Sequence, residues 1–120
     1  MPHPVTPPRR GEIYWVEFEP HRGSEQAGTR PAVVVSLDSH NRRLPTVVVA
    51  ALTTQIRHRD SPVAVYLPTG SPMKREGCIL AFQVMTVDQQ RLKGYAGCLS
   101  AKQRTDLDEA LAVAFGLRLP

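Results

Sequence analysis

The chain has 120 residues, 42% of them hydrophobic and 22% charged, and a formal net charge of +4 at pH 7. That length fits one domain that buries roughly two-thirds of its unfolded surface, so neither a disulfide nor a metal is needed for folding. Cys78 and Cys98 stand apart with no CxxC pair and no His/Cys ligand spacing, which excludes zinc and redox-motif proteins and leaves both as expected small core residues. No apolar stretch approaches the roughly 20 residues of a membrane span. The N-terminus also lacks the apolar centre of a signal peptide, so the expectation is a cytoplasmic protein with no membrane partner.

Residues 1–8, with Pro2, Pro4, Pro7 and Pro8, read as a flexible tail, leaving 9–120 as a single domain. A strand is expected near Glu12 to Phe18. The loop Gly23-Ser24-Glu25-Gln26-Ala27-Gly28-Thr29-Arg30-Pro31 follows, its two glycines allowing a tight turn and its polar side chains offering more donors and acceptors than a connector requires. Pro31 biases Arg30 toward extended geometry at the mouth of the next strand, Ala32 to Ser36.

Asp38 to Arg43 reads as a helical turn, and further strands are expected at Thr46 to Leu52, Val63 to Leu67 and Cys78 to Val87. Asp88 to Arg91 forms a second turn capped by Asp88, and Gly94 to Leu99 adds a short strand. Ser100 and Gln103 have capping-box spacing for a C-terminal helix that sets Leu107, Leu111, Ala114 and Leu117 on one face. Short β-rich runs between Pro and Gly breaks give a mainly β (α+β) chain, a small antiparallel barrel or sandwich.

Arginine dominates the basic residues, among them Arg22, Arg30, Arg42, Arg43, Arg57, Arg59 and Arg91. Its planar fork suits bidentate phosphate contact, so the charge points toward a polyanion. The sequence holds neither an acidic cluster of two-metal character nor HExxH spacing, which disfavours a metal-dependent nuclease; no cofactor is expected. His3 lies in the tail, and His21, His40 and His58 sit in polar segments as expected solvated residues, so a histidine-pair mechanism is not implied.

Arg10-Gly11-Glu12 with Ile13-Tyr14-Trp15-Val16-Glu17, the Gly23–Pro31 loop and Ala32-Val33-Val34-Val35-Ser36 together resemble the MazF/PemK family of toxin endoribonucleases, the mRNA interferases. Glu12 stands where that family has aspartate. The likeness continues through Asn41-Arg42, through Val47-Val48-Val49-Ala50-Ala51 into Leu52-Thr53-Thr54-Gln55, and through Phe82-Gln83-Val84 with Asp88, so that it spans about residues 9–117.

The resemblance implies an SH3-like antiparallel barrel of the MazF/PemK/CcdB type with a C-terminal helix. It further implies a homodimeric toxin that cuts single-stranded mRNA sequence-specifically and without metal, and that a cognate MazE-like antitoxin silences.

Metal-free RNA cleavage by the substrate's own 2′-hydroxyl needs a proton acceptor, a proton donor and positive charge on the phosphorane. Arg30 is expected to supply the charge; a side chain with pKa above 12 is a poor base. A strand would point Thr53 and Gln55 to one side, and the resemblance implies that Thr53 contacts the phosphate beside the arginine. Glu25 either accepts the 2′-hydroxyl proton or holds Arg30. Ser24, Gln26, Gln55, Gln83 and Arg22 are expected to bind RNA, in keeping with recognition of splayed single-stranded bases.

Relatives carry an acid where Phe82 stands and a basic residue where Met85 stands. If these two positions face RNA, base readout should differ and Phe82 would stack on a base; if they face the core, the changes are packing, the reading favoured for Met85. Two other functions fit the same fold: a non-enzymatic toxin that binds DNA gyrase, as CcdB-type toxins do, and a catalytically silent RNA-binding module.

Overall fold

The computed structural model describes residues 6–18 and 28–119. In chain order these form β1 (Glu12–Glu17), β2 (Thr29–Val34), α1 (Asp38–Arg43), β3 (Thr46–Thr53), β4 (Ala64–Leu67), β5 (Gly77–Asp88), a 3-10 turn (Gln89–Arg91), β6 (Leu92–Cys98) and α2 (Ala101–Ala114). Every pairing is antiparallel, in the order β4-β5-β3-β2-β1-β6. Among the described residues the edge strands β4 and β6 do not pair, so the barrel is bent but open.

The apolar run of β3 is buried from both sides, which is why it reads as continuous rather than alternating. One face packs Ile13, Val33, Ala50, Leu52 and Ile79 beneath Leu107 and Ala110 of α2. The other gathers Tyr14, Val16, Ala32, Val34, Val47, Val49 and Val87.

The bend lies in β5. Ala50 pairs with Val84 and the next residue, Ala51, with Leu80, so Ala81, Phe82 and Gln83 bulge out of the β3 ladder. Below the bulge β5 pairs only with β3; above it, β5 pairs with β3 and β4 together. A bulge of this kind sharpens the local twist and turns side chains outward.

β2 begins at Thr29, earlier than the expected Ala32, and so takes Arg30 and Pro31 into the sheet. β1 pairs with β2 from Thr29 onward, whereas the β3 ladder starts at Ala32. Pro31 therefore sits where its missing N–H removes no bond from β3, the setting in which strands tolerate proline.

α2 has the expected capping box: Ser100 Oγ accepts from the Gln103 N–H at 3.1 Å and Gln103 Oε1 from the Ser100 N–H at 2.9 Å. The helix stops at Ala114, and Gly116 at φ +74° turns the chain away. Leu117 thus leaves the apolar face on which periodicity placed it and is 80% exposed; Ala110 takes the inward position with Leu107, Leu111 and Ala114.

α1 is tied to the end of β5 by a buried polar pair. Asn41 Oδ1 accepts from Ser36 Oγ at 2.6 Å, while the Gln89 amide donates to the carbonyls of Asn41, Leu44 and Thr46. Asp88 caps the 3-10 turn through the Gln90 N–H at 2.8 Å, as expected.

Of the segment 1–8, residues 1–5 lie outside the described residues and Pro8 is buried. Cys78 is a buried core residue; Cys98, expected to be one, is exposed near the end of edge strand β6. No helix among the described residues is long and apolar enough to cross a membrane.

Candidate functional site

Arg30 is exposed on β2, paired with Val16 of β1. The β2–β3 register matches Ala32 with Ala51, Val33 with Ala50 and Val34 with Val49. Continued two residues outward, it sets Arg30 across from Thr53. Opposed residues of an antiparallel pair share a face, with Cβ atoms about 5 Å apart while pairing persists.

Thr53 is matched on its other side with Cys78 of β5, and Cys78 with Tyr66 of β4. One transverse row, Thr53, Cys78 and Tyr66, thereby crosses three strands, and the β2–β3 register continued past its last pair would bring Arg30 to the end of that row.

Thr53 is the last residue of β3. Its Oγ1 accepts the Gln55 backbone N–H at 3.1 Å, a local turn that competes with continued strand. Thr53 and Gln55 therefore do not share a strand face as expected: Gln55 is an exposed loop residue joined to Thr53 through its backbone N–H. Because the hydroxyl oxygen is engaged as an acceptor, its own hydrogen remains available to a ligand.

Gly77 packs directly on this residue. A Cβ there would meet the Thr53 carbonyl oxygen well inside van der Waals contact. Gly77→Ala is expected to lower stability by about 1–3 kcal/mol, the usual cost of overpacking, and to disturb the Thr53 backbone. Urea unfolding measures the first effect, and the loss of Gln55 amide protection in hydrogen exchange the second.

Beyond Cys78 the row is polar. Tyr66 Oη donates to Glu76 Oε1 at 2.5 Å, and that bond pushes the phenol pKa up. The Arg59 guanidinium carbon lies 4.0 Å from the Tyr66 ring centroid. Burial raises the Cys78 thiol pKa, and nearby Arg59 opposes the rise. In the sequence Arg59 is only one arginine among several, since nothing in the run Arg57-His58-Arg59-Asp60 indicates that the loop folds back over β4.

Phe82 and Gln83 lie in the β5 bulge. Phe82 alternates with Cys78 and Leu80, and Gln83 with Met85 and Val87, so the bulge sends both toward the face of Thr53. Phe82 is 43% exposed and Met85 51% exposed; the expectation of Met85 as packing does not hold. His58 is not a solvated loop residue either: it is half-buried and meets the Phe82 ring edge-on at 5.5 Å. Of the other expected site residues, Arg22, Ser24, Glu25 and Gln26 lie outside the described residues.

The Arg10-Gly11-Glu12 opening serves the fold at the opposite end of β1. Glu12 Oε1 accepts from the Arg9 N–H at 2.7 Å and from Tyr14 Oη at 3.0 Å, while Arg10 pairs with Asp108 of α2 at 2.6 Å. Burial and the Glu12 contact raise the Tyr14 phenol pKa. In this cleft Arg9 and Arg10 pair with Asp38 and Asp108, and Arg104 also lines it. Among the described residues no group of three or more His, Cys, Asp or Glu is arranged to hold a metal ion.

An open antiparallel barrel of this order, with a helix packed on one face, defines a small protein of mainly β fold. The comparisons with known proteins make the class specific. Residues 9–115 match the model of the PemK-like, MazF-like toxin of type II toxin-antitoxin systems, and the chain belongs to that family.

A solved mycobacterial endoribonuclease in complex with its cognate antitoxin is 28% identical at TM-score 0.78, with 94% of this chain and 99% of that one covered. Another mycobacterial endoribonuclease is 26% identical at TM-score 0.79, over 98% and 100%. MazF from Deinococcus radiodurans is 25% identical at TM-score 0.73, over 92% and 97%.

Proposed function

We propose that the protein is a sequence-specific endoribonuclease toxin that cuts single-stranded mRNA without metal. The observation that carries this reading is the β2–β3 register, which, continued two residues past its last pair at Ala32 and Ala51, would bring Arg30 across from Thr53, joined to membership in the toxin family. Mycobacterial relatives solved as endoribonucleases point the same way.

In the proposed reaction the 2′-hydroxyl oxygen attacks the adjacent phosphorus and the bond to the 5′-oxygen breaks, leaving a 2′,3′-cyclic phosphate and a 5′-hydroxyl. The Arg30 guanidinium meets the negative charge that builds on the phosphorane, and the Thr53 O–H donates to one of its non-bridging oxygens. Glu25 is the candidate acceptor for the 2′-hydroxyl proton, and Arg30 is the candidate donor of the proton that the leaving 5′-oxygen takes up as its bond to phosphorus breaks. Ser24, Gln26, Gln55, Gln83 and Arg22 read and hold the strand.

The protein acts in the cytoplasm as a homodimer, and a cognate antitoxin of the MazE kind neutralises it. An acidic antitoxin segment across the Arg30 row would compete for the charges that bind RNA.

Purified protein should cut a long mixed RNA in EDTA, with 5′-hydroxyl ends at a recurring word. Cutting that requires an added divalent ion, or 5′-phosphate ends, would refute the mechanism. Intact RNA together with tight gyrase binding would refute the nuclease reading altogether.

A further inference from the structure

The β3–β4 loop, residues 54–63, lays two successive basic side chains against aromatic rings of neighbouring strands. Arg59 covers the Tyr66 ring, and Tyr66 is itself anchored to Glu76. His58 holds the edge of Phe82. Arg59 forms no direct ion pair among the described residues, and the nearby Glu76 carboxylate is engaged by the Tyr66 hydroxyl. Contact with the ring holds the guanidinium in place, while its N–H groups keep their capacity to donate to an anion. A guanidinium fixed in this way also has less rotamer freedom to lose on meeting a ligand.

The placement matters as much as the chemistry. Tyr66 lies two strands from Thr53 on the same row, about 10 Å at ordinary strand spacing. Phe82 is carried to that face by the β5 bulge. A single strand seated with one phosphate between Arg30 and Thr53 and laid along this row would reach the loop.

We propose that the β3–β4 loop and the β5 bulge form a second RNA-binding ledge, in which Arg59, held on Tyr66, binds the phosphate of a nucleotide flanking the cut, and Phe82, held by His58, stacks on a neighbouring base. This rests on Arg30 and Thr53 being the cleavage centre. Flanking-nucleotide recognition would then fall to residues outside the Gly23–Pro31 loop.

The test uses the cleaved word once mapped, as an oligonucleotide carrying a 2′-O-methyl group at the cut position so that it binds without reacting. Its Kd is measured against salt for the wild type, Arg59→Ala, Arg59→Lys and Phe82→Ala, each checked for folding by circular dichroism.

Arg59→Ala is expected to weaken binding about tenfold at low salt and to flatten the log Kd against log salt slope by about 0.7, the value for one phosphate contact on a single strand. Arg59→Lys should keep the slope but lose part of the affinity, since charge is retained without the stacked plane. Phe82→Ala should weaken binding about fivefold or more with the slope unchanged, as for a neutral stacking contact.

Unchanged affinity and slope in Arg59→Ala, with the wild type still cutting RNA, would overturn this ledge and leave the cleavage centre standing. Loss of antitoxin binding with RNA binding intact would also overturn it, assigning the surface to a protein partner. A wild type that neither cuts nor binds RNA would remove the cleavage centre and the ledge with it.

Discussion

Arg30→Ala is expected to lower kcat/KM for RNA cleavage by about a hundredfold or more while leaving the melting temperature near that of the wild type. Removing one preorganised charged donor from a site of developing charge typically costs on the order of 3 kcal/mol in the transition state, which corresponds to that factor. Stability should hold because Arg30 is exposed near the start of β2, beyond the last residue paired with β3.

Arg30→Lys separates charge from geometry: the ammonium keeps a point charge but cannot grip two phosphate oxygens through a planar fork. Partial recovery is expected, short of wild type. Discontinuous cleavage assays on the mapped oligonucleotide, with urea unfolding alongside, decide the matter. An Arg30→Ala protein that cuts as fast as the wild type would show that another group carries the phosphorane charge.

Several elements are legible in the sequence because local chemistry determines them. The Val47–Ala51 run, the Ser100–Gln103 box and the Asp88 cap each depend on neighbours within a few residues, and each occurs where the sequence places it. Arg30 and Thr53 stand out separately in the sequence, but their relation depends on a register between two strands with α1 between them, which composition does not encode.

The departures share one cause: contacts made by distant segments. Leu117 continues the helical period, yet Gly116 stops the helix before that period can act. Met85 occupies a strand position whose neighbours Val49 and Val87 are buried, but it remains exposed. His58 reads as solvated and Arg59 as one cation among several because the rings that receive them, Phe82 and Tyr66, are brought near only by the fold-back of the loop and the bend in β5. Residue type alone puts Cys98 in the core, whereas its position near the end of edge strand β6 leaves it in solvent.

Thr53→Val provides the second large test, with an expected fall in kcat of about tenfold or more and little change in fold. Valine keeps the β-branched shape that suits the end of a strand and removes only the hydroxyl. The Gln55 N–H that loses its acceptor lies in an exposed loop, where water replaces the bond, so the stability cost of an unsatisfied buried donor does not arise. Thr53→Ser then discriminates between shape and chemistry. If the O–H donates to the phosphorane, serine recovers most of the rate; if the residue matters only as the point where β3 ends beside Gly77, valine retains the rate and serine, less suited to a strand, is the weaker of the two. That second ranking would reduce Thr53 to a positioning role and leave Arg30 as the only described residue acting on the phosphate.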